Sequence, residues 1–172
     1  MAADAPFLVL LILHVGAIVS WMGGAAVYTS VIIPSMAKMS PSSRTEFIQS
    51  ALPRYLRFIG GSAILAIAAG LALYAYITQV ATAFAPSNLG SPYVNAGVVV
   101  GLILLIIAFG IMIPSGRKLV LLVKKAPQAE PPANDPTLAQ IAKLQKRMGI
   151  AGRLGLALLG IALILMLVGA SI

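Results

Sequence analysis

The chain has 172 residues, 60% of them apolar and 9% charged, with a mean hydropathy of +1.00 and a formal net charge of +8. Soluble domains carry about 25% charged residues, so this composition excludes a water-soluble globular fold and places the chain in a bilayer. The absence of cysteine excludes disulfides, thiolate ligands and cysteine nucleophiles, and a single histidine excludes a metal site built from several imidazoles of one chain.

Residues 6–35 form the first of four stretches long and apolar enough to cross the hydrocarbon layer, a distance that takes roughly 20 helical residues. Asp4 precedes this stretch, no basic residue does, and the apolar run is too long for a signal-peptide core, so it is expected to be retained. Within it His14, Trp21 and Tyr28 recur every seven residues. At 100° per residue each step drifts by about 20°, which makes one polar and aromatic stripe. An ionisable side chain in a membrane span is costly and points to function. The readings are a haem axial ligand, a copper ligand, a proton-transfer group, or a ring hydrogen-bonded to a neighbouring helix. Helical rise places His14 roughly 12 Å beyond Pro6, where the ring is expected to be neutral. Its expected partners are Tyr74, Tyr76, Thr78, Gln79, Tyr93 and Asn95, the polar side chains at that end of the spans. Met22 adjoins the stripe, and Met36 with Met39, one turn apart, offers soft thioethers to Cu(I), although helical methionine more often packs. Gly16, Ser20 and Gly24 stand four apart, a small-residue groove that lets another helix approach closely.

After the first span, Ser43-Arg44-Thr45-Glu46 fits a capping box, followed by Phe47, Ile48, Ala51, Leu52 and Tyr55 at helical spacing. The pattern predicts a short amphipathic helix broken near Pro53. The further spans are residues 58–80, 93–114 and 149–172, with Gly97 and Gly101 in the third and Ala151 and Gly155 in the fourth repeating the small-residue spacing. Between the last two spans, Pro127, Pro131, Pro132 and Pro136 predict an irregular, mobile centre. Asp135 is placed to cap a helix starting at Pro136, whose apolar face is Leu138, Ile141, Leu144 and Met148. The third span is expected to run on through residues 117–125 and pair with it as a projecting hairpin. Lipid leaves backbone groups nothing to bond but one another, so residues 1–172 are expected to form one all-α domain, an up-down four-helix transmembrane bundle. All twelve basic residues flank the two connections that follow spans one and three, which predicts those in the cytoplasm and both termini outside a plasma membrane. Topology and headgroup attraction account for the net charge, and nucleic acid is not an expected partner.

Catalytic sets lack members. The four carboxylates, Asp4, Glu46, Glu130 and Asp135, all fall outside the spans, which removes proton relays, Ser-His-Asp triads and carboxylate pairs. No glycine loop suited to phosphate and no internal repeat of the transporter kind is evident, so enzymatic or solitary transport activity is disfavoured.

His14 followed by Trp21-Met22-Gly23-Gly24, then Pro34, Ser40-Pro41, the basic segment through Arg54 and Arg57, and Gly70 resembles the first half of the CopD-like integral membrane proteins, a group linked to copper resistance. The same histidine–tryptophan–glycine pattern is more remotely similar to the HemJ-type four-helix membrane proteins of haem biosynthesis, whose first-helix histidine is implicated in haem binding. The resemblance implies a copper or haem b site at His14, with Trp21 and Met22 beside it; Met36 and Met39 are the other candidate metal ligands. A haem held by two histidines requires two copies of the chain, since each has one. Two classes of function therefore stand side by side: a small CopD-like protein handling copper or haem, and a non-catalytic accessory subunit of a larger respiratory or monooxygenase-type membrane complex. Its partners would be other membrane subunits or further copies of the chain.

Overall fold

The computed structural model describes residues 5–81, 91–125 and 136–171. Four helices carry them: α1 (Ala5–Lys38), α2 (Pro41–Ala81), α3 (Pro92–Lys125) and α4 (Pro136–Ser171). Each is long and apolar enough to cross a membrane, so the chain is an all-α, multi-pass membrane protein. α1 packs chiefly on α2 and α3 on α4, and the two hairpins meet mostly where α2 touches residues Ile113–Lys125 of α3.

Two features differ from the sequence expectation. The capping box at Ser43 is displaced: Ser40 is the cap, its Oγ accepting the Ser43 amide at 3.3 Å, because Pro41 in the first helical position is already shaped for a helix start. The same turn closes α1, whose last carbonyls, Met36 and Ala37, accept bonds from the Arg44 guanidinium at 2.9 and 3.2 Å. Nor does the chain break at Pro53, which lies inside one continuous helix. Proline costs a helix about 3 kcal/mol, but Ile48, Leu52, Leu56 and Ile59 are buried on both sides of it and hold the two halves in line. At the other connection α4 starts at Pro136 and α3 runs to Lys125, as expected, with Ile141, Leu144 and Met148 packed on Leu119 and Val123, while Leu138 stays exposed. Asp135 and the prolines 127, 131 and 132 lie outside the described residues.

α1 and α3 share a feature that hydropathy hides. Each contains a π turn, Tyr28–Ile32 and Ala108–Met112, and each turn runs into the same Ile-Pro-Ser trio. The Ile33 amide bonds Tyr28 O and the Ile113 amide bonds Ala108 O, one residue further back than in an α-helix. The wider turn relieves the clash between each proline ring and the carbonyl four residues before it. The two turns give α1 and α3 a local correspondence.

The interior has two layers. Near the basic end, Tyr28, Met36, Ile48, Leu52, Leu56, Leu119 and Met148 form a large-residue core. Deeper in the spans the core is Trp21 with Ala17, Ala25, Ala63, Ala66 and Ala108, and the small alanine side chains bring the helix backbones together. The charge split predicts that a cysteine replacing Ser42 is labelled by an impermeant reagent only after the membrane is opened, and one replacing Thr78 is labelled in intact cells. The opposite pattern would reverse the orientation.

Candidate functional site

The stripe of α1 faces inward: Trp21 and Tyr28 are buried and His14 is half-buried. His14 reaches α2, where its Nδ1 lies 2.8 Å from the Ala66 carbonyl oxygen. A carbonyl only accepts, so Nδ1 donates to it, and in the neutral ring Nε2 is the nitrogen left as an acceptor. The ring rests on Gly70, at which a Cβ would stand 2.5 Å from His14 Cε1 and 2.7 Å from Nδ1. The inward direction agrees with expectation; the partner does not. The expected polar tips of α2 and α3 engage elsewhere: the Tyr74 hydroxyl donates to Asn95 Oδ1 at 2.7 Å, tying α2 to α3, and Thr78 donates back to the Tyr74 carbonyl at 3.0 Å. His14 lies opposite a deeper stretch of α2, where Gly70 opens a niche beside a backbone acceptor.

About four turns beyond His14 along α1, Tyr28 stacks on Tyr55 of α2 with ring centroids 4.2 Å apart and planes 12° from parallel. Beside them Trp21, Tyr55, Leu104, Met112, Gly152 and Leu159 line a cavity of about 20 Å³ among all four helices, room for about one water molecule. The Tyr55 hydroxyl is the one buried side-chain polar atom without a hydrogen bond among the described residues. Burying an unbonded hydroxyl costs about 1–3 kcal/mol, so Tyr55→Phe should leave thermal stability unchanged or raise it. A fall of more than about 1 kcal/mol would mean that the hydroxyl holds a bound water.

The candidate methionine ligands are not brought to His14. Met22 is eight residues from His14 on the same helix, about 12 Å along its axis, and Met36 and Met39 are more than about 30 Å away. Met36 is buried in the basic-end core and Met39 packs against it. No group of three or more His, Cys, Asp or Glu residues suited to a metal occurs among the described residues. Haem fits no better: the central cavity is far smaller than the roughly 300 Å³ at which ligand pockets begin, and His14 does not line it.

The small residues divide by role. At Gly24 a Cβ would stand 2.9 Å from the Phe58 ring and 3.0 Å from Ile59, at Gly97 2.8 Å from Met166, at Gly101 3.1 Å from Ile67, and at Gly155 4.0 Å from Leu104. Ala151 is buried, also on α4. Gly16 meets nothing within 4 Å, and Ser20 turns its hydroxyl back to the Gly16 carbonyl at 2.8 Å. After Gly70, the tightest positions outside these spacings are Gly116, 2.6 Å from Leu56, and Gly152, 2.8 Å from Thr29. Neither has a glycine four residues away, so nothing in the spacing marks them. Comparisons with protein-family profiles, curated proteins and solved structures return no match.

Proposed function

We propose that the chain is a non-catalytic accessory subunit of a larger plasma-membrane complex, of the respiratory or monooxygenase kind, and that it docks through the outer face of α1. The observation that carries this reading is a contrast between a filled interior and an open face. Ile12, Gly16, Val19, Gly23 and Val27 lie within about 80° of one another on α1. The three large members are 69%, 65% and 53% exposed, and neither glycine meets anything within 4 Å. Glycines between β-branched side chains form a shallow surface on which a second transmembrane helix packs closely and loses little side-chain freedom.

The test is the pair Gly16→Leu and Gly23→Leu together. Thermal unfolding of the isolated subunit should change by less than about 0.5 kcal/mol, because both new side chains enter open space. On native electrophoresis in mild detergent the high-mass assembly should disappear. An assembly that survives with the subunit in it would refute docking through α1.

A second reading, CopD-like handling of copper or haem b at His14, draws on one observation: Nδ1 is anchored to a carbonyl, the arrangement that leaves the other nitrogen of a ligand histidine basic and aimed. One chain supplies that single ligand, so the reading needs a second copy or another subunit to complete the site, and Trp21 and Met22 would then flank it.

A further inference from the structure

On the outer surface between α2 and α3, toward the basic end, lies a groove of about 550 Å³. Its walls are Leu56, Gly60, Ile64, Phe109, Ile113 and Leu121, and its charged members are Arg57 from α2 and Arg117 from α3. The volume falls within the roughly 300–1,000 Å³ of small-ligand sites, unlike the much smaller central cavity. Arg57 and Arg117 are exposed, and among the described residues neither has an acidic partner: Glu46, the one carboxylate among them, is about three turns from Arg57 along α2. From Arg57 to Ile64 and from Arg117 to Phe109 the apolar part runs about 10 Å toward the membrane centre. Gly61 lies on the groove with nothing within 4 Å of a Cβ, so the missing side chain leaves the channel open.

We propose that this groove binds one anionic phospholipid, with the phosphate between Arg57 and Arg117 and an acyl chain along Gly61, Ile64 and Phe109. Two guanidiniums lining one groove from separate helices match a phosphodiester, and with no carboxylate beside them among the described residues their charge can be met by a lipid phosphate. The apolar floor below them excludes a bare phosphate ion as the natural occupant, since such an ion would leave the floor uncovered.

Native mass spectrometry of the full chain in mild detergent, titrated with phosphatidylglycerol or phosphatidylcholine, tests this. The wild type should retain phosphatidylglycerol about tenfold more strongly, and Arg57→Gln with Arg117→Gln should erase the preference. Gly61→Leu, which keeps both arginines, should also lose the lipid, because its side chain occupies the acyl channel. Lys124→Gln with Lys125→Gln removes the same charge outside the groove and should leave retention unchanged. Equal loss in the lysine variant, undiminished binding in Gly61→Leu, or displacement by millimolar inorganic phosphate would overturn the proposal. So would a second copy of the chain or an acidic protein in the groove instead of lipid.

Discussion

Gly70→Ala should destabilise the protein by about 1–3 kcal/mol in detergent unfolding, because the new methyl falls within 2.5 Å of the His14 ring, between two helices that cannot part without opening the core. His14→Ala alone should cost about 0.5–1.5 kcal/mol, the net worth of its hydrogen bond to Ala66 O. The decisive number is the double variant. With the imidazole gone, alanine at position 70 has space, so Gly70→Ala with His14→Ala should be more stable than Gly70→Ala alone. Additive losses would show that His14 and Gly70 do not share one contact.

Two adjacent glycines should give opposite results. Gly24→Leu drives a side chain into the Phe58 ring and Ile59 and should cost about 2–3 kcal/mol, lowering both thermal stability and yield. Gly23→Leu enters open space and should leave the fold of the isolated chain within about 0.5 kcal/mol of wild type. Val31→Leu, at a position 56% exposed, is the matched control. A loss at Gly23 equal to that at Gly24 would show that α1 is rotated from the position described here.

These contrasts show where sequence reading reaches and where it stops. The seven-residue recurrence of His14, Trp21 and Tyr28 places them on one face, because helical geometry follows from spacing alone. The partner of His14 was not legible, since it is the carbonyl of Ala66 and backbone acceptors have no letter in the sequence. The four-residue spacing of Gly16, Ser20 and Gly24 spreads them over about 80° of α1, wide enough for Gly24 to contact α2 while Gly16 faces outward. Pro53 reads as a break from propensity alone, and packing on both sides overrides it. Pro34 and Pro114 conceal the opposite lesson. Each sits just past a π turn that four-residue hydrogen-bond rules do not anticipate, so the matched Ile-Pro-Ser trios gain meaning only from the backbone.

The central claim is that His14 joins α1 to α2, and that the chain acts through its outer faces, as proposed above, rather than through a group bound at His14. The most direct measurement is an absorption spectrum with copper analysis on the wild type and His14→Ala, each purified in mild detergent from its own membrane. The account predicts no Soret band and no stoichiometric copper assignable to this chain, with the two proteins alike. A Soret band, or copper at one per chain or per pair of chains, present in the wild type and lost in His14→Ala, would contradict it.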